Sequence, residues 1–205
     1  MDIFGPQWKD HPERIRKQCE KLIGPEDLLL IPGDLSWAMK RVEAEPDLQF
    51  LASLPGLKVV CKGNHDYWWD SDRPLRFEGL NDTPFTIGDA VGVAGTRGWV
   101  SPATATSAEE RESAEKIVAR ELRRLEKRLE AVSGCQHKYA MIHYPPLAEF
   151  APLLQKHGVE AVLYGHLHLG GNEQPLPEDW HGMKCFCVAA DRIGFTPRLV
   201  ATVGD

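Results

Sequence analysis

The stretch Asp27-Leu28-Leu29-Leu30-Ile31-Pro32-Gly33-Asp34 decides how the rest of the chain is read. An aliphatic run of strand length without polar alternation predicts a β-strand buried on both faces, the kind found in helix-covered parallel sheets. Pro32 and Gly33 end it and leave Asp34 at its carboxyl end. On the amino-terminal side, Ile15, Cys19, Leu22 and Ile23 are spaced for a helix over residues 12–23, with Pro12 suited to its first turn and Gly24 to its stop. On the other side a helix within residues 43–54 leads to a second buried strand, Leu57 to Cys61, ending in Lys62-Gly63-Asn64-His65-Asp66. Helix and buried strand therefore alternate, which defines an α/β chain.

Farther on the order loosens. The loop Tyr67-Trp68-Trp69-Asp70-Ser71-Asp72 precedes short strands near residues 84–87 and 90–95, and a loop from Gly98 to Thr106. Residues 138–143 and 160–164 read as two more buried strands, each followed at once by polar residues; segments 183–190 and 198–203 are expected to complete the sheet. Between them, Val118, Leu122, Leu125, Leu129 and Val132 mark one apolar seam on a long helix over 107–132. Residues 109–130 carry seven basic and seven Glu side chains, so the helix has no basic stripe. A surface helix packed on the body explains the seam better than a dimeric coiled coil, which needs more heptads.

The chain has 205 residues, 42% apolar, enough for one substantial core, and a single domain over 1–205 is expected. A net charge of −6 argues against a broad surface for phosphate backbones, so nucleic acid enters only as a substrate. Five cysteines without paired spacing suggest neither a disulfide framework nor a zinc ribbon, and a reducing cytoplasm fits them. No apolar run is long enough to cross a bilayer, so no membrane partner is expected. The oligomeric state is not written in the sequence.

Four strand ends deliver metal-ligand or acid-base side chains: Asp34, then Asn64, His65 and Asp66, then His143, then His166 and His168. In open α/β sheets the carboxyl ends of strands converge on one crevice, so these distant positions can meet. Glycine before Asp34, Asn64 and His166 suits turns in which backbone approaches a ligand. Each motif alone is most simply a polar turn. His166 and His168, pointing the same way from an extended segment, are harder to read so. Their recurrence after four strands is the signal. Cys185 and Cys187 share one face of a strand and read as packing; Tyr67, Trp68 and Trp69 divide equally between substrate pocket and core.

The succession Gly33-Asp34, Gly63-Asn64-His65-Asp66, His143 and Gly165-His166-Leu167-His168 resembles the calcineurin-like metallophosphoesterase family over residues 28–168. Gly33-Asp34-Leu35-Ser36-Trp37, Gly95-Thr96-Arg97-Gly98-Trp99 and His143-Tyr144-Pro145-Pro146 further resemble a bacterial branch of phosphohydrolases of undefined substrate. The resemblance implies a four-layer α/β/β/α sandwich holding two divalent transition-metal ions, Mn, Fe, Co or Zn. It implies that Asp34 bridges the ions, that Asn64, His143 and His166 complete one site, and that His168 serves the other. His65 would donate a proton or hydrogen bond to the leaving oxygen, Asp66 would orient His65, and Arg97 would bind substrate phosphate. The implied reaction is hydrolysis of a phosphate mono- or diester, of a phosphorylated small molecule or nucleotide, by in-line attack of metal-bound hydroxide.

The family's first motif, Asp-x-His at the end of a first strand, has no counterpart before Asp34. Asp179-Trp180-His181 has the spacing but follows a proline-rich loop, and reads as coincidence. Three readings stand: that Met1 is internal and the natural chain starts roughly twenty residues earlier, the length of a strand and loop; that one metal site suffices; or that the protein is a non-catalytic binding or regulatory module. The first is the expectation.

Overall fold

A computed structural model describes residues 5–69, 75–80 and 83–204. Strand β1 (Leu28–Ile31) pairs in parallel with β2 (Leu57–Val60), and β2 with the two-residue β3 (Glu78–Gly79). The second sheet runs β4-β5-β6-β7-β9-β8, from β4 (Phe85–Ile87), β5 (Val91–Thr96), β6 (His137–Ile142), β7 (Ala161–Tyr164), β8 (Asp179–Trp180) and β9 (Met183–Cys187). β5, β6, β7 and β9 are mutually parallel, whereas β4 and β8 close the edges antiparallel.

Side-chain alternation along these strands builds three separate apolar layers. Val59 faces the second sheet, where it meets Val93, Met141, Leu163 and Phe186. Its neighbour Val60 turns the other way, onto Ala44 and Leu48 of α2 (Arg41–Ser53) and onto Trp68 and Trp69. In the second sheet Met141 and Leu163 face inward, while Ala140, Ile142, Val162 and Tyr164 face a core shared with α3 (Ala108–Ala131) and α4 (Ala151–Lys156). Helix on sheet on sheet on helix is the four-layer α/β/β/α arrangement expected.

The long helix α3 is capped by Ser107, whose hydroxyl accepts from the Glu110 amide at 3.1 Å. Its seam is spent inside the chain: Val118, Leu125 and Leu129 pack with Ala94, Ala140 and Ile142. Two charged residues join them, which periodicity alone conceals. Glu121 is buried and accepts from the Thr96 hydroxyl at 2.6 Å and from Arg124 at 2.9 Å. Buried Arg128 donates to the Gly95 carbonyl. These bonds pin the helix to the carboxyl end of β5.

One expected strand is absent. Residues 198–203 pair with nothing, because β8 already occupies the free edge of β9. Arg198 instead forms a two-pronged ion pair with Glu178 at 2.9 Å, and Val200 and Val203 lean on the core between the sheets. Helix α1 (His11–Leu22) matches its predicted span within a residue. No helix of the described residues is long and apolar enough to cross a membrane.

Leu125, fully buried, tests the seam. Leu125→Ala is expected to lower stability by about 2–5 kcal/mol in urea unfolding; a loss below about 0.5 kcal/mol, the range of an ordinary surface substitution, would place the helix off the core.

Candidate metal centre

The pairings Ile31↔Val60 and Ile142↔Tyr164 end the parallel ladders level with one another, so the residues that follow emerge together. The ends of the two sheets nearly touch: a Cβ on Gly33 would lie 2.7 Å from the Gly63 backbone and from His143 Nδ1. One on Gly63 would run into the Asp34 carboxylate. Glycine at these two positions is a steric requirement of the convergence.

Asp34, His143 and His166 offer ligand atoms all within 4.8 Å of one another. Asn64 Oδ1 lies between the rings, 2.6 Å from His143 Nε2 and 3.0 Å from His166 Nδ1. Asp34 Oδ2 is 3.5 Å from His143 Nε2, while its Oδ1 accepts from the His65 amide at 2.9 Å. Asp34 and His166 adopt left-handed backbone, with φ of 57° and 65°. For residues other than glycine this strain costs on the order of 1–3 kcal/mol each and concentrates at functional sites.

Proton accounting shows that the group suits a cation. His143 has Nδ1 2.9 Å from the Pro32 carbonyl and Nε2 2.6 Å from the Asn64 oxygen. A neutral imidazole has one N–H and can donate to only one of them. Burial, the largest influence, lowers the His143 pKa and disfavours the doubly protonated ring, although Asp34 opposes this. With the proton on Nδ1 toward Pro32, Nε2 and Asn64 Oδ1 face each other as two lone pairs beside a carboxylate. A shared divalent ion satisfies all of them, and the Pro32 bond is the outer-shell contact that orients a ligating histidine. Burial also pushes His166 down to about 4, so this ring too is neutral near pH 7.

A calcineurin-like phosphoesterase family model matches residues 4–170. The chain belongs to the calcineurin-like phosphoesterase family. No curated protein matches it. Among solved structures, a protein of unknown function from Aquifex aeolicus is similar at 18% identity and a TM-score of 0.48, over 92% of this chain and 81% of that one.

Asp66 is engaged elsewhere than at the His65 ring. Its buried carboxylate accepts from the amides of Asp34 (2.8 Å), Leu35 (2.8 Å), Ser36 (3.2 Å) and Gly63 (2.8 Å), and from the Trp68 indole (3.1 Å). Both oxygens are thereby committed to joining the loop of Asp34 to the loop of Gly63, and the His65 ring is not among their partners. That ring stacks instead on Trp37, centroids 3.9 Å apart and planes inclined by 18°.

Arg97 leans over Trp99 at 4.6 Å, close enough for its charge to act on His143 and Tyr144. Tyr144 packs against the His166 ring at 4.2 Å. His168 is outside the three-ligand group. Its ring meets Trp8 edge-on at 5.4 Å, and its Nδ1 lies 3.0 Å from Asp191 Oδ1. Buried Asp191 also accepts from the amides of Leu169 and Arg192 at 2.9 and 3.0 Å. It therefore engages one ring nitrogen of His168. Asp191 is invisible to periodicity, because an Asp-Arg pair in a turn carries no periodic signal; a carboxylate just beyond the last core strand is the hint the sequence offers. Asp179 is exposed on β8, and Asp70 to Asp72 lie outside the described residues.

The two buried rings set an acid dependence. Between their ordinary value of 6.5 and the depressed folded value, about 4 for His166, the folded chain binds fewer protons than the unfolded one. Their contribution is therefore present above pH 6.5 and lost as pH falls toward 4. Asp66, raised by burial to about 6, acts oppositely, costing stability as pH rises from about 4 to 6. The metal-free wild type should lose more thermal stability than His166→Gln on acidification from pH 6.5 to 4.5. Parallel melting curves for the two proteins would remove His166 from this account.

Proposed function

We propose that the chain hydrolyses phosphate esters at the Asp34–Asn64–His143–His166 group, whose residues would hold a divalent transition ion, with His168 available to a second. The observation that carries the reading is the surplus of acceptors around His143 Nε2, which a cation relieves. The mixed oxygen and nitrogen donor set suits Mn, Fe, Co or Zn. Such an ion supplies two things to this chemistry, acidification of an attacking water and neutralisation of charge on phosphoryl oxygens.

The chain's own groups do the rest. His65 stands beside the ligands with its ring fixed by Trp37 and gives a proton to the leaving oxygen. Water adds to phosphorus in line with that oxygen, the P–O bond breaks, and the water's proton passes to solvent. Arg97 binds the non-reacting phosphoryl oxygens, its planar guanidinium matching their geometry. Asp66 keeps the loops of Asp34 and Asn64 at fixed separation. The substrate is a phosphorylated small molecule or nucleotide. All five cysteines are free thiols, four of them buried, which supports a reducing compartment such as the cytoplasm.

A second reading, a single-ion centre or a binding module without turnover, draws on one observation. Among the described residues one three-ligand group is close enough to share an ion, and His168 is not in it.

Calorimetric titration with Mn(II), paired with hydrolysis of bis-p-nitrophenyl phosphate, separates the readings. Asn64→Ala and His143→Ala should each weaken ion binding at this group and lower kcat/KM more than the 10- to 100-fold typical of losing an outer-shell contact. His65→Ala should bind the ion normally and lose about 10²–10⁴-fold in kcat. Ion binding without turnover in wild type would favour the binding module, and no ion binding at all would sink both readings.

A further inference from the structure

One polar group at the metal centre has no part in the hydrolytic chemistry described so far, the Tyr144 hydroxyl. Tyr144 follows His143 directly and packs against the ring of His166, centroids 4.2 Å apart and planes inclined by 43°. It meets His143 edge-on at 5.4 Å and Trp99 at 5.6 Å. Only 7% of the residue stays exposed. A buried phenol normally finds a hydrogen-bond partner, as Tyr164 does by accepting from the Leu176 amide at 2.8 Å. Among the described residues the Tyr144 hydroxyl has none, and it is not sealed from water either.

The backbone ties Tyr144 to Arg97. Tyr144 precedes Pro145, which disfavours helical backbone at it, and its amide donates to the Arg97 carbonyl at 3.0 Å. Gly98 tightens the same contact, since a Cβ there would lie 2.8 Å from the Ile142 side chain and 3.5 Å from Tyr144 Cβ. With a φ of 70°, this glycine lets the loop of Arg97 lie against the stem of Tyr144. Arg97, Asp34 and Tyr67 are each close enough to act on the phenol electrostatically, and they come from three different loops. Tyr67 is 59% exposed, so these groups border a side open to solvent.

We propose that the Tyr144 hydroxyl donates a hydrogen bond to a phosphoryl oxygen of the substrate, beside those that Arg97 holds. The proposal rests on the phosphoesterase reading above and adds a residue to its phosphate contacts. A phosphoryl group in transfer spreads its charge over three oxygens, and a two-pronged guanidinium reaches two of them. A phenol keeps its proton at neutral pH and offers an O–H to such an acceptor. Being neutral, it can lie against His166 without repelling an ion there, which a lysine in its place would do. A hydrogen bond with one charged partner is roughly twice as strong as a neutral one, so a single phenol has a measurable share in phosphate binding.

Calorimetric titration of the Mn(II)-loaded chain with inorganic phosphate reads the contact, and Tyr144→Phe isolates it by keeping the ring and its packing on His166. The variant should bind phosphate about 10- to 100-fold more weakly, the scale of a hydrogen bond to a charged group. Its kcat/KM for bis-p-nitrophenyl phosphate should fall in step, while its Mn(II) affinity and melting temperature stay at the wild-type values. Unchanged phosphate affinity and kcat/KM in Tyr144→Phe would overturn the contact and leave the phosphoesterase reading standing. Weaker Mn(II) uptake by the variant would overturn it too, since the hydroxyl would then act on the ligands instead of on the substrate. If the loaded wild type neither holds phosphate nor hydrolyses the ester, the phosphate site and the Tyr144 contact both fall.

Discussion

The Asp66 carboxylate is the tie on which the site depends. A charged group taken out of water survives only if its oxygens are satisfied, and here five N–H donors from the Asp34 turn, Gly63 and Trp68 do so. Satisfying it fixes the loop after β1 against the loop after β2, which places Asp34 beside Asn64. The close approach of Gly33 and Gly63, and the left-handed backbone of Asp34, are conformations that the clamp enforces. The constraint runs from one buried carboxylate to loop geometry, and from loop geometry to ligand placement.

Across the gap between the sheets, the second half of the site is held by strands instead of by a side-chain clamp. β6 and β7 run in parallel register, so His143 and Gly165 leave the sheet side by side and are joined by a backbone hydrogen bond of 3.1 Å. Rigid placement matters because ligand positions must hold to fractions of an ångström for an ion to bind and a phosphate to align. Buried Glu121 and Arg128 of α3 extend the same rigidity to the end of β5, the strand that leads into Arg97.

Most of the architecture was legible in the sequence because buried parallel strands are written as short aliphatic runs, such as Leu28 to Ile31. Length and termination by glycine or proline sufficed to locate them. Residues 198–203 misled because apolar content signals burial but not a vacant partner edge, and β8 had taken that edge. Asn64, His143 and His166 could be picked out as polar residues after strands, and the fold brings them together. What individual side chains touch was not. Asp66 reads as a neighbour of His65 in sequence, yet an adjacent residue in a tight turn projects elsewhere, and three of its five partners, Asp34, Leu35 and Ser36, come from the other loop. Asp191 and Trp37 stayed hidden for the same reason, since each matters through a contact that only the tertiary fold creates.

The central claim is that these loops pre-form a cation site from two imidazoles and two oxygen donors. X-ray absorption spectroscopy on the Zn(II)-loaded chain measures it most directly. Two histidine nitrogens should appear in the inner shell at about 2.0–2.1 Å with oxygen completing the set, and one nitrogen should be lost in His143→Ala. A shell of oxygen atoms alone, or a spectrum unchanged by that substitution, would contradict it.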